Sequence, residues 1–219
     1  IPANKTSSIY HFLTTNFWSL LVVAFVLKET PYIGIPFNWL ESYFHELSHG
    51  LAALVTGGKI LQIELFPNGA GLCTTQGGIA FIIAFSGYAG AVGWGVLIYR
   101  IAEFKSSISR YFSLFIVFVL ALSCILWVRD LLTLVIILIL IATFALSIKV
   151  SHFNFLPVIL KLFAIMVLLN SLSSPLYLLD GRGIGDGSAL AEITFIPEIV
   201  WILIWSAIGI YSIFRLAKK

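Results

Sequence analysis

The sequence carries little charge. Only 11% of its 219 residues are Asp, Glu, Lys or Arg, whereas ordinary globular domains contain about a quarter. Hydrophobic residues make up 60% of the chain, and its mean hydropathy is +1.04. Because so few charges cannot cover the surface of a water-soluble protein of this size, the composition predicts an integral membrane protein.

Cysteine is scarce as well. Cys73 and Cys124 are the only two, they lie far apart, and neither belongs to a Cys-x-x-Cys pattern. This excludes a disulfide framework and a cysteine-based metal site. The net charge of +3 is not gathered in a run, so nothing indicates a nucleic-acid partner.

Long apolar runs dominate what remains. Seven segments approach the ~20 residues that cross a bilayer. They are Ile9–Leu27, Trp39–Thr56, Ile79–Ile101, Tyr111–Val128, Leu131–Val150, Phe155–Leu172 and Ile196–Leu216. We therefore predict an all-α polytopic membrane protein with about six to seven transmembrane helices. The short turn at Arg129-Asp130 predicts that the fourth and fifth segments form an antiparallel pair.

The stretch between the second and third segments has a different pattern. Residues 60–66 are rich in β-formers, Pro67-Asn68-Gly69 signals a turn, and residues 71–75 can return. We predict a short β-hairpin, Ile60–Thr75, at the membrane interface, because open strand edges are not stable in hydrocarbon. The hairpin either binds an extended peptide segment by strand addition or is a simple connecting loop.

The placement of Lys and Arg predicts the orientation, because cytoplasmic loops carry an excess of positive charge. One predicted face collects more of these residues than the other. It holds Lys28, Arg100, Lys105, Arg110, Lys149, Arg215, Lys218 and Lys219, and the opposite face holds Lys5, Lys59, Arg129 and Arg182. We expect the first face, and with it the C-terminus, to be cytoplasmic.

The second segment contains the HExxH motif His45-Glu46-Leu47-Ser48-His49. Two histidines four residues apart share one face of a helix and can bind one metal ion. Glu46 is then placed to take a proton from a zinc-bound water. The alternative is a packed polar cluster, but ionisable groups within a span cost about 2.5–3.5 kcal/mol each, which favours a functional site.

The start of this helix is predicted from a second pattern. Asn38 with Glu41 three residues on resembles a capping box, and Gly57-Gly58 supplies a stop. Glu41 also shares a face with His45, so it has two possible roles, a helix cap or a contact to the metal ligands.

A zinc hydrolase needs a third protein ligand and one open position. His11 and His152 are poor candidates, because the first enters a span and the second lies in a short polar connection. A carboxylate is the better candidate. The sixth segment breaks at a Ser-rich stretch and Pro175, and Asp180 follows an apolar tetrad and precedes a glycine.

With these elements the sequence resembles the site-2 proteases, a family of intramembrane zinc metalloproteases. The shared features are HExxH in a transmembrane helix and a later Asn…Pro…Leu-Asp-Gly element, here Asn170, Pro175 and Leu179-Asp180-Gly181. The stretch Gly185–Ala191, followed by Thr194 and Pro197, also resembles a compact bacterial and plant branch of that family.

The resemblance implies Zn²⁺ as the cofactor and a set of site residues. The implied zinc ligands are His45, His49 and Asp180, with Asp186 as the alternative third ligand, and Glu46 is the implied catalytic base. A straight sixth segment would carry Asp180 to the opposite membrane face. That ligand therefore requires the chain to unwind near Asn170–Pro175 inside the protein.

The resemblance further implies one transmembrane metalloprotease domain over residues 1–219. It divides into a first span and loop at 1–36, a catalytic core at 37–195, and a last span with a basic tail at 196–219. The expected activity is hydrolysis of peptide bonds in or next to transmembrane segments. The expected partners are a membrane protein or peptide substrate and the lipid bilayer, in a bacterial inner membrane; the oligomeric state is not indicated.

Two other functions are compatible with the motif. A membrane zinc-binding or transport protein could use the histidines as an ion path, although paired ligand sets and internal repeats would then be expected. A catalytically inactive protease-like scaffold is the other, and the intact Glu46 argues against it. Small residues along the third segment, at 86–95, indicate close helix packing or room for a substrate.

Overall fold

The computed structural model describes residues 16–30, 32–150, 155–180 and 183–218, without the side chains of Val150 and Asp180. This part of the chain forms eight α-helices, a 3-10 helix and one two-stranded sheet. In chain order the elements are α1 (Phe17–Glu29), α2 (Ile35–Val55), β1 (Lys59–Leu65), β2 (Gly71–Gln76), α3 (Ala80–Ala102), α4 (Ser106–Leu126), α5 (Leu131–Val150), α6 (Leu156–Ser173), the 3-10 helix (Ser174–Asp180), α7 (Asp186–Thr194) and α8 (Glu198–Ala217).

Five helices of the described residues are long and apolar enough to cross a membrane. They are α3, α4, α5, α6 with most of the 3-10 helix, and α8. The predicted class, an all-α polytopic membrane protein with a small hairpin, is confirmed. Of the predicted segments, Leu131–Val150 has the bounds of α5, whereas the part of the first segment before Asn16 lies outside the described residues.

Helix α2 begins at Ile35, four residues before the predicted start at Trp39. The predicted capping box of Asn38 and Glu41 is therefore wrong. The helix starts at Ile35 with Gly34 as its N-cap, and the Asn38 backbone N–H already donates to the Gly34 carbonyl at 3.1 Å. The reason is Pro36, which is compatible with the first turn because a proline there loses no helical hydrogen bond. Glu41 therefore lies in the second turn and is buried.

Helix α6 lies at the centre of the molecule. Five consecutive residues, Ala164–Leu168, have no exposed surface, so this helix is covered on all sides, as expected for a helix that is apolar all round. Helices α1, α2, α3 and α8 pack around it. The close approach of α3 to α6 depends on Gly95, where a Cβ would lie 2.7 Å from Leu168 Cγ. The predicted close packing of α3 is thus confirmed at this position.

The predicted β-hairpin is present, with β1 and β2 antiparallel and Ile63 opposite Cys73. The outer edge of β1 is covered, because the Ile63 N–H donates to the Trp127 carbonyl at 3.0 Å and the Leu65 N–H donates to Thr133 Oγ1 at 2.9 Å. Along an antiparallel ladder, the backbone groups of opposite residues point alternately toward and away from each other. Ile63 and Leu65 point theirs away from β2, so their partners Cys73 and Gly71, and Thr75 in the same alternation, turn their backbone groups away from β1. This leaves β2 with a free edge, one that pairs with no further strand of the described residues.

Candidate metal centre

The two motif histidines meet at one point. Helix α2 carries His45 and His49 on one face, and their Nε2 atoms lie 3.0 Å apart, with ring centroids separated by 4.7 Å. Both side chains are largely buried. Two imidazole nitrogens converging in this way can bind one ion, as the spacing predicts.

Asp186 brings the third donor atom. Its Oδ2 lies 3.0 Å from His45 Nε2 and 3.2 Å from His49 Nε2. The three ligand atoms lie within 4.8 Å of one another. Two neutral nitrogens and one carboxylate oxygen form a donor set that suits Zn²⁺ with one position left for water, so these residues fit the implied metal.

Asp186 follows the predicted break at the end of α6 and begins α7, a short helix that the sequence does not predict. Helix α6 ends at Ser173, as the Ser- and Pro-rich sequence predicts, and the 3-10 helix follows. Gly185, with φ +121°, then leads into α7, whose first residue is Asp186. With Asp186 at the start of α7, a carboxylate that follows the sixth segment lies within 3.2 Å of both imidazole Nε2 atoms.

Of the two candidate third ligands, the structure places Asp186 against both imidazoles. The backbone of Asp180 ends the 3-10 helix, and its carboxylate lies outside the described part, so its assignment as a ligand stays a prediction. The geometry supports the alternative, Asp186.

Helix α3 holds the histidine rings from the other side. The Ile83 carbonyl lies 2.7 Å from His49 Nδ1 and accepts its hydrogen bond when that nitrogen is protonated. Tyr88 stands edge-on to His45, at 4.4 Å between ring centroids. A Cβ at Gly87 would lie 2.5 Å from Nε2 of each imidazole. The sequence does not predict these contacts, although the small residues around position 87 are the feature that allows α3 to approach the histidines.

Glu46 packs between the metal centre and β2. It is 6% exposed, and a Cβ at Gly71 would lie 2.6 Å from its Oε1. The Glu46 carboxylate also interacts with the Cys73 backbone. Burial, together with this carboxylate, raises the pKa of the Cys73 thiol to about 12, and Cys73 is not one of the three residues whose ligand atoms converge.

A cavity of about 1110 Å³ opens onto these groups. Its wall includes the three ligand residues and Glu46 on one side and β2 on another, and the first half of α3, the 3-10 helix and α7 also line it. Helix α8 braces this wall, because Trp205 Nε1 donates to the Phe85 carbonyl at 3.2 Å and its ring packs 4.7 Å from Tyr88. The cavity is large enough for an extended peptide segment.

An HExxH helix, a converging carboxylate and an adjoining cavity within a multi-pass helical protein are the arrangement of a membrane metallopeptidase. A family model described as Peptidase M50B-like matches residues 18–216, nearly the whole chain. The chain belongs to this family, which is a site-2 protease family. No curated protein and no solved structure is significantly similar to the chain.

Proposed function

We propose that this protein is an intramembrane zinc metalloendopeptidase that hydrolyses peptide bonds in or next to transmembrane segments of membrane proteins. The observation that carries the proposal is the convergence of His45, His49 and Asp186 beside the buried Glu46, inside a membrane-protein family of peptidases. Its membrane is proposed to be a bacterial inner membrane, with the C-terminus in the cytoplasm.

The chemistry requires a base next to the metal. Bound zinc would acidify a coordinated water and polarise the scissile carbonyl. Glu46 follows His45 on the same helix and has no cationic partner among the ion pairs of the described residues, so its carboxylate is free to accept the proton of the attacking water. Glu46 then passes this proton to the leaving amine. His45, His49 and Asp186 would hold the metal beside Glu46.

The free edge of β2 supports binding of the substrate as an added strand. Gly71, Cys73 and Thr75 line the cavity, and their backbone groups turn away from β1. A transmembrane helix hides its carbonyls in hydrogen bonds, so it must unwind before hydrolysis. An unwound segment lying beside β2 would regain part of these bonds from the strand and would lie next to Glu46.

The proposal is tested with the purified wild type and Glu46→Gln in detergent, by measuring bound zinc and cleavage of a model transmembrane peptide. Zinc in both proteins is expected, with kcat lower by about 10²–10⁴-fold in the variant because the base is lost. Zinc without cleavage in the wild type would contradict the protease and favour an inactive scaffold. Zinc movement across vesicles without cleavage would favour transport.

A further inference from the structure

Glu41 is a buried carboxylate that the proposed reaction does not use. It is 4% exposed and lines the cavity one helical turn before His45. Ser174 Oγ donates to its Oε2 at 3.0 Å. Its other oxygen, Oε1, is buried and has no hydrogen-bond partner within the described chain. A buried acceptor without a donor destabilises the folded protein, so its presence needs an explanation.

A capping role does not explain Glu41. Helix α2 begins at Ile35, so Glu41 lies beyond the first turn, where the unpaired N–H groups of a helix end. An ion pair does not explain it either. Among the described residues, the ion pairs made by Lys or Arg join Lys28 to Glu29 and Arg100 to Glu103, and neither includes Glu41. The neighbouring group that carries opposite charge when protonated is His45.

The two histidines differ at their second ring nitrogen. His49 Nδ1 lies 2.7 Å from the Ile83 carbonyl, which fixes the orientation of that ring. For His45 the hydrogen-bond contacts of the described residues all go to Nε2. A neutral histidine that binds a metal through Nε2 carries its proton on Nδ1, and that N–H usually donates to a carboxylate or carbonyl.

The geometry of α2 makes the Glu41 carboxylate and the His45 ring neighbours. Side chains four residues apart on a helix are neighbours, and helical side chains lean toward the N-terminus. Glu41 is therefore the neighbour of His45 on the N-terminal side, and the two groups interact electrostatically. The unsatisfied Oε1 of Glu41 and the Nδ1 of His45, which none of the hydrogen bonds of the described residues uses, belong to side chains on the same face of the same helix, beside the same cavity.

We propose that Glu41 is the positioning residue of His45: its Oε1 accepts a hydrogen bond from His45 Nδ1–H, directly or through one water, when Nε2 binds the metal. Ser174 holds the carboxylate in place through Oε2. The contact fixes the histidine tautomer and makes the ring a better ligand. This inference rests on the proposed zinc site.

The test uses Glu41→Leu and Glu41→Gln, with Glu103→Gln as the control, since Glu103 pairs with Arg100 away from the site. Zinc affinity is measured by chelator competition without substrate, and Tm is measured on zinc-stripped protein. Because leucine removes an unsatisfied polar group, Glu41→Leu is expected to keep or raise that Tm. It is also expected to bind zinc about 10–100-fold more weakly. Glu41→Gln, which keeps a weaker acceptor, is expected to lie between Leu and wild type, and the control to match wild type.

Glu41→Leu binding zinc within about threefold of wild type would overturn the proposal. So would a parallel loss of zinc affinity and of Tm in both Glu41 variants, which is the result of a purely structural role. If Glu41→Leu does not fold, Glu41→Gln decides: weaker zinc binding at unchanged Tm supports the proposal, and wild-type affinity overturns it. A wild type that binds no zinc contradicts the proposed function itself, and this is seen before any variant is compared.

Discussion

Gly87 lies where α3 crosses the two imidazoles, and the space beside its Cα is filled by the metal-ligand atoms themselves. A Cβ there would meet Nε2 of His45 and of His49 at 2.5 Å. These are the atoms that the metal needs, so a methyl group at this position would displace the ligands rather than loosen the packing.

Gly87→Ala is therefore expected to weaken zinc binding by about tenfold or more and to abolish cleavage. Gly93→Ala is the matched control on the same helix, since a Cβ at that position has nothing within 4 Å. Zinc content and cleavage of the two purified variants check this. Equal zinc content in both would show that the imidazoles do not bind the metal where α3 meets them.

The motif residues could be predicted from the sequence because their geometry is local. The spacing of His45 and His49 alone puts them on one helix face, and Glu46 follows from the motif. The third ligand is different, because it approaches from a distant part of the chain. Spacing does not define where a broken helix turns, and for this reason the sequence alone leaves the choice between Asp180 and Asp186 open; the structure adds that Asp186 converges with both histidines.

At the scale of elements, the long apolar helices and the hairpin could be predicted, and α7 could not. Continuous apolar runs bounded by polar turns define α5 and its neighbours directly. Helix α7 is only 9 residues long, which is too short to be stable alone. It is stabilised by packing: Leu190 has no exposed surface and joins Tyr88, Trp201 and Trp205 in one cluster.

The free edge of β2 leads to a prediction about substrates. If the substrate adds as a strand, every second N–H of its backbone faces β2. Peptides N-methylated at successive positions are expected to show KM raised about 2- to 10-fold at alternate positions, because each methyl group removes one hydrogen bond. A plot of KM against position without this two-residue period would indicate that the hairpin is only a connection.

At the scale of the whole molecule, the chain is a multi-pass membrane protein, and several of the basic residues that the structure describes lie near helix ends, among them Lys28, Arg100, Lys149 and Arg215. The basic residues near Ala102 and Ala217 lie at the same predicted face. The excess of positive charge there predicts a cytoplasmic C-terminus.

A C-terminal green fluorescent protein fusion is accordingly expected to fluoresce in a bacterial host, whereas a C-terminal alkaline phosphatase fusion is expected to be inactive. The physical reason is that Lys and Arg near span ends are retained on the cytoplasmic side. A dark green fluorescent protein fusion together with an active phosphatase fusion would contradict this orientation. It would also reverse the side of the membrane from which water and substrate are expected to reach the cavity.

X-ray absorption at the zinc edge of the purified, zinc-loaded protein tests the central claim most directly. The account predicts one zinc per chain with two imidazole nitrogens at about 2.0–2.1 Å, further oxygen ligands and no sulfur. It also predicts that Asp186→Asn changes this shell while Asp180→Asn leaves it as in the wild type. A sulfur ligand, a shell without two imidazoles, or a shell changed by Asp180→Asn alone would contradict it.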